Sequence, residues 1–172
     1  MIEFVRDCKL NKPENYEFSK VADFEITIYS TVVFAVLEYF ITKMAYILFV
    51  PYCKEQNDEK LREIRSAKAA SCIYNGIYYT INTIWAFNIM KNEVWYPTYL
   101  GGSGNYDLIF AEWPYPNHPP QLKEYFLMAL GYHLSALVHH FYSCTSKDFI
   151  EMGLHHMVAV CLYVFMYLAN GY

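Results

Sequence analysis

Charge is missing from four long stretches of this chain, and that absence limits what it can fold into more than any other feature. The stretches 26–50, 69–90, 125–142 and 152–172 make up half of the 172 residues. Of the charged side chains they hold only Glu38 and Lys43. Runs of about 20 residues without charge match the hydrocarbon thickness of a bilayer. A helix on the surface of a soluble protein needs a polar face, and 69–90 has no charged one. The sequence therefore predicts an all-α, multi-span transmembrane helical bundle with about four membrane helices. The mean hydropathy of +0.08 is low for such a chain. Its 18 tyrosines explain this, because hydropathy scales score Tyr slightly negative although its ring suits the membrane interface.

The same distribution divides the chain into an N-terminal arm 1–25, a first membrane span 26–52 and a unit 53–172 with three further spans. Residues 53–68 interleave basic and acidic side chains, the pattern of a solvated helix at the membrane surface. Loop 91–124 carries five of the seven prolines, the turn cluster Gly101-Gly102-Ser103-Gly104, and Trp95 and Trp113. It is expected to lie on the interface. No Lys-Ser or Lys-Thr follows the glycines, so they do not form a phosphate loop. The short connector 143–151 makes the last two spans antiparallel neighbours. Basic residues divide six and six between the two sides, which gives the positive-inside rule nothing to act on. A net charge of −4 argues against a nucleic-acid partner. Residues 1–25 have neither the apolar core of a signal peptide nor the Arg-rich, acid-poor character of a mitochondrial presequence. Cysteines 8, 53, 72, 144 and 161 are odd in number and contain no CxxC, so neither a disulfide framework nor a zinc ribbon is expected.

His133, His139, His140, His155 and His156 all fall in the last two spans. Ionisable groups inside a membrane point to function by default. On a helix, His133 and His140 share a face and His139 points elsewhere. His155 shares a face with Glu151 and Asp148, and a carboxylate one turn away can fix an imidazole's tautomer and raise its basicity. Three uses compete: a catalytic pair His155-His156 oriented by Asp148 or Glu151, a metal cluster, and structural hydrogen bonds between helices worth about 1 kcal/mol each. The spacing His133-x5-His139-His140, with no third histidine box, does not suit a di-iron site, so no metal and no cofactor are expected. The structural use is favoured for His133, His139 and His140. For His155 and His156 geometry leaves the choice even. Glu38 and Lys43, five apart, do not stack on one helix, so Glu38 is expected to find its partner elsewhere.

The run Lys147-Asp148-Phe149-Ile150-Glu151-Met152-Gly153-Leu154-His155-His156 resembles the central motif of ceramide synthases, members of the TLC-domain family of multi-span membrane proteins. Weaker likenesses lie at Lys60-Leu61-Arg62-Glu63-Ile64-Arg65, at Trp113-Pro114-Tyr115-Pro116 with His118-Pro119 and Tyr125, and at Tyr167-Leu168-Ala169-Asn170. Together they cover about residues 55–172. The resemblance implies acyl transfer from a fatty acyl-CoA co-substrate to the amine of a sphingoid base, with His155 and His156 at the positions of the family's histidine pair. The chain departs from the pattern at Ser143, Thr145, Ser146 and Ala159, and the family's downstream His-Asp would lie beyond Tyr172. The expectation is therefore a truncated, catalytically silent relative: a lipid-contacting structural subunit of a larger membrane complex, with other membrane protein subunits completing its bundle. The alternative is an active ceramide synthase of which this is a fragment. The resemblance points to the endoplasmic reticulum, and a complex of the mitochondrial inner membrane is the alternative location.

Overall fold

The computed structural model describes residues 19–53, 58–109, 115, 118–119, 121–142 and 149–169. Four long helices dominate them: α1 (Phe24–Phe49), α2 (Glu59–Met90), α3 (Leu122–Tyr142) and α4 (Phe149–Leu168). Short 3-10 turns occupy Val21–Asp23, Val50–Tyr52, Thr98–Leu100 and Tyr106–Ile109, and among the described residues there is no strand. The all-α expectation holds. Most of the N-terminal arm, Trp113, the stretch 143–148 that includes Asp148, and Asn170 lie outside the described residues.

Exclusion of charge becomes an apolar outer surface. α1 with its flanking turns, Val21–Tyr52, and α4 are long and apolar enough to cross a bilayer, with mean hydropathy 1.8 and 1.6. Val32, Val36, Phe40 and Ile47 on α1 and Leu154, Val158 and Phe165 on α4 are exposed. Apolar surface on this scale is costly in water and suits lipid. α2 has 32 residues, so at 1.5 Å per residue it is about 48 Å long, more than the roughly 30 Å hydrocarbon core. From Glu59 on, the charged connector expected at the membrane surface is the first part of this helix and runs unbroken into the second span. Asp58 caps it, its carboxylate accepting from the Leu61 N–H at 3.0 Å.

α1 lies between α2 and α3, and α3 lies between α1 and α4. The paired residues fix the directions. Thr27 and Thr31 of α1 meet Leu127 and Gly131 of α3, so these two helices run parallel. Phe34 faces Tyr74 and Tyr78 while Cys53 meets Ser66, so α1 and α2 are antiparallel. Phe126 pairs with Tyr163 and His140 with Phe149, so α3 and α4 are antiparallel too. The chain thus goes up, down, up and down.

Small residues allow the closest approach. A Cβ on Gly131 would overlap the Ser30 side chain and come within 3.0 Å of the Thr27 carbonyl oxygen. At the same crossing the Thr27 hydroxyl donates to the Leu127 carbonyl (3.1 Å) and the Thr31 hydroxyl to the Gly131 carbonyl (3.2 Å). Membrane helices associate through such backbone proximity and hydroxyl bonds, because lipid gives them little hydrophobic drive to pack.

The tyrosines do more than mark the interface. Tyr78 stacks on Tyr132, with ring centroids 3.4 Å apart. The Tyr132 hydroxyl donates to the Asn75 side chain, and the Asn82 amide donates to the Tyr125 hydroxyl. These long side chains bridge α2 and α3 where the backbones stay apart. At the opposite end of α4 from its start, buried Tyr167 donates to Asp23 at 2.6 Å, and Lys123 pairs with the same carboxylate oxygen at 2.9 Å. The start of α1, the start of α3 and the end of α4 are thereby tied at one side of the membrane. The loop on that side folds back on itself: the Gly104 N–H donates to the Tyr96 carbonyl and the Asn105 N–H to that of Val94. Gly101 closes its first turn at φ 97, a left-handed conformation that glycine adopts without strain.

Candidate functional site

The face that α3 turns to α4 carries His133 and His140, as a spacing of seven residues on a helix requires. Against it lies Gly153, whose missing side chain makes room for an imidazole: a Cβ there would sit 3.3 Å from His140 Nε2. That nitrogen is 2.7 Å from the Phe149 carbonyl oxygen. A carbonyl only accepts, so Nε2 carries the proton and donates. The His140 ring also stacks on Phe149, with centroids 4.6 Å apart. His140 is thus a fastener between α3 and the first turn of α4.

His156 projects from α4 toward this fastener. Its ring centre is 6.0 Å from that of His140 and 5.5 Å from that of His155. The His133 ring lies 5.1 Å from the Tyr163 ring, one helical neighbourhood further along. Nδ1 of His133 and Nδ1 of His156 are both buried, and among the described residues neither has a hydrogen-bond partner. A buried polar atom left unpaired costs about 1–3 kcal/mol, and native proteins keep few of them without a use. The α3–α4 seam thus holds, on facing helices, two imidazole nitrogens free to take a hydrogen bond.

His139 points away, as its helical angle predicts, and meets α1. Its Nδ1 lies 2.6 Å from Glu38 Oε1. Glu38 therefore finds its partner on another helix. Lys43 turns back to its own helix, donating to the Tyr39 hydroxyl at 3.2 Å. Bonding between helices, the use favoured for His133, His139 and His140, is what His139 and His140 do. His133 has no such bond at Nδ1. Its place on the face of His140 was legible in the sequence from the seven-residue spacing.

The remaining candidates are more dispersed. His155 is exposed on the outer side of α4, and Glu151 is exposed one turn before it. Among the described residues no hydrogen bond joins the two. Asp148 lies outside the described residues. Among those residues, no three His, Cys, Asp or Glu side chains converge where a metal could be held. Chemically, the α3–α4 seam offers an imidazole nitrogen that can take a proton or attack a carbonyl in an apolar setting. There such charge shifts are strong.

A family model described as the TLC domain matches residues 68–172. The chain is 43% identical over 58 residues to ceramide synthase 4 of Homo sapiens, a match covering 33% of this chain and 15% of that protein. It is 25% identical over 100 residues to ceramide synthase hyl-1 of Caenorhabditis elegans, covering 57% of this chain and 25% of the relative. The matched part is thus a quarter or less of each relative's length. No solved structure matches the chain.

Proposed function

The chain belongs to the TLC-domain family of membrane proteins, and from that premise we propose that its α3–α4 histidine site transfers an acyl group from an acyl-CoA to the amine of a sphingoid base, as a ceramide synthase does by name. The observation that carries this reading is the buried, unpaired Nδ1 of His156. In the step proposed, the amine nitrogen attacks the thioester carbonyl and the new C–N bond forms as the C–S bond breaks. An imidazole nitrogen of His156 takes the amine proton and returns it to the departing thiolate. Such positioned proton transfer is worth about 10²–10⁴-fold in rate. His155 assists from the outer side of α4 once another surface encloses it. That surface comes from a partner membrane protein, and the assembly sits in the endoplasmic reticulum.

One observation favours a second reading. His139 and His140 are both committed to bonds between helices, and His155 is exposed. This suits a catalytically silent, lipid-contacting subunit of a membrane complex. N-acylation separates the two. The full chain in phosphatidylcholine vesicles, given palmitoyl-CoA and sphinganine, is expected to form the N-acyl product. His156→Ala should slow it by about 10²–10⁴-fold with helix content unchanged. No product from the unaltered chain would favour the silent subunit.

A further inference from the structure

A second polar feature lies on a different face of α3, against α1. Thr31, Glu38 and Thr42 of α1 and Ser135, His139 and Tyr142 of α3 line a cleft of about 290 Å³. All of α1 precedes the family-matched residues, which begin at 68. Ser135 is only 3% exposed, yet its hydroxyl has no hydrogen-bond partner among the described residues. A serine or threonine within a helix ordinarily bonds the carbonyl of residue i−4. Thr31 and Thr42 do so here, to Thr27 and Glu38. For Ser135 that carbonyl belongs to Gly131, which the Thr31 hydroxyl of α1 also approaches, at 3.2 Å, while lying nearer the Thr27 carbonyl at 2.7 Å. Ser135 makes no such bond, and its buried hydroxyl is left unpaired in the wall of the cleft.

The cleft's charges constrain what it would hold. Glu38 Oε1 and His139 Nδ1 are 2.6 Å apart, a distance that requires one shared proton. Paired as carboxylate and imidazolium, the two have no net charge. A charged headgroup would bring an uncompensated charge into the membrane, where charge is costly. A hydroxyl accepts from Ser135 and donates to the carboxylate or to Ser135 in turn. Val138 and Tyr142 are exposed beside the cleft, where an acyl chain can leave it along the apolar surface.

We propose that the α1–α3 cleft binds the headgroup of a neutral lipid bearing a free hydroxyl. The site is independent of the acyl-transfer reading, since it shares none of the groups proposed for that chemistry, and its test reads binding and not turnover. The probe is a diazirine-tagged monooleoylglycerol in phosphatidylcholine vesicles containing the full chain, with crosslinks mapped by peptide mass spectrometry. Labelling should concentrate on residues 31–42 and 135–142. Excess untagged monooleoylglycerol should displace it, and the same lipid with its hydroxyls methylated should not. Ser135→Ala should reduce displaceable labelling about three- to tenfold, the loss of one hydrogen bond, and Ser135→Thr should retain it. Ala35→Leu, which fills the cleft without touching Ser135, should abolish it and guards against a Ser135 variant that fails to fold. Labelling spread over the apolar surface and insensitive to competitor would overturn the proposal. So would equal labelling in Ser135→Ala. Equal displacement by phosphatidic acid or a long-chain amine would overturn the neutral-hydroxyl assignment.

Discussion

The histidines of α3 and α4 are one residue type in four settings. His139 shares a proton with Glu38, His140 donates to a backbone carbonyl, His133 and His156 keep a buried nitrogen unpaired, and His155 is exposed. Replacing the His140 fastener, or the Tyr167 tie to Asp23, should act on stability. His140→Ala removes the bond to Phe149 and leaves space over Gly153. It should lower unfolding free energy by about 1–3 kcal/mol, measured by thermal unfolding in detergent. Tyr167→Phe removes a hydrogen bond to a carboxylate from a buried ring, worth about 1.5–3 kcal/mol by the same measurement. Part of this was legible in the sequence. A helical wheel separates His139 from His133 and His140 and excludes Lys43 as the partner of Glu38. It cannot name His139 as that partner, because the pairing depends on how α1 and α3 are registered. That register is set seven to eleven residues away, at Thr27, Thr31 and Gly131.

At the scale of elements, glycine has opposite meanings at two positions. Gly131 is where α1 and α3 touch backbone to side chain, and nothing lies within 4 Å of a Cβ added at Gly76. Gly131→Leu should force the helices apart and destabilise by about 1–3 kcal/mol or more, and it should open the α1–α3 cleft. Gly76→Ala should be neutral or stabilise by about 0.5–1 kcal/mol, since it only removes backbone freedom from an exposed helix position. Comparing the two variants by thermal unfolding checks the crossing directly. The existence of four helices was legible from charge exclusion alone. The merging of the connector with the second span was not, because a change from charged to apolar composition looks like a boundary even when one helix continues through the membrane surface. The bridging tyrosines were equally hidden, since hydropathy treats a stacked core tyrosine and an interfacial one alike.

For the whole molecule, the up-down-up-down order sets which loops share a side. Residues 91–109, which follow α2, share a side with the starts of α1 and α3 and the end of α4, and Cys53 with the start of α2 lies opposite. Membrane-impermeant thiol labelling of Ser103→Cys and Asp58→Cys in sealed vesicles should mark opposite faces. Equal access from one side would contradict the topology. The family match begins after the whole of α1, yet α1 contacts both α2 and α3. An N-terminal helix that composition alone treats as a separate span is thus the one that holds the second and third helices together. The central claim concerns the seam on the far side of α3. Its most direct test is carbethoxylation of the full chain by diethyl pyrocarbonate, read at each histidine by mass spectrometry, with and without a non-reacting thioether analogue of palmitoyl-CoA. If the α3–α4 site takes the acyl donor, the analogue slows modification of His156 several-fold and leaves His139 unchanged. An unchanged rate at His156 would contradict it.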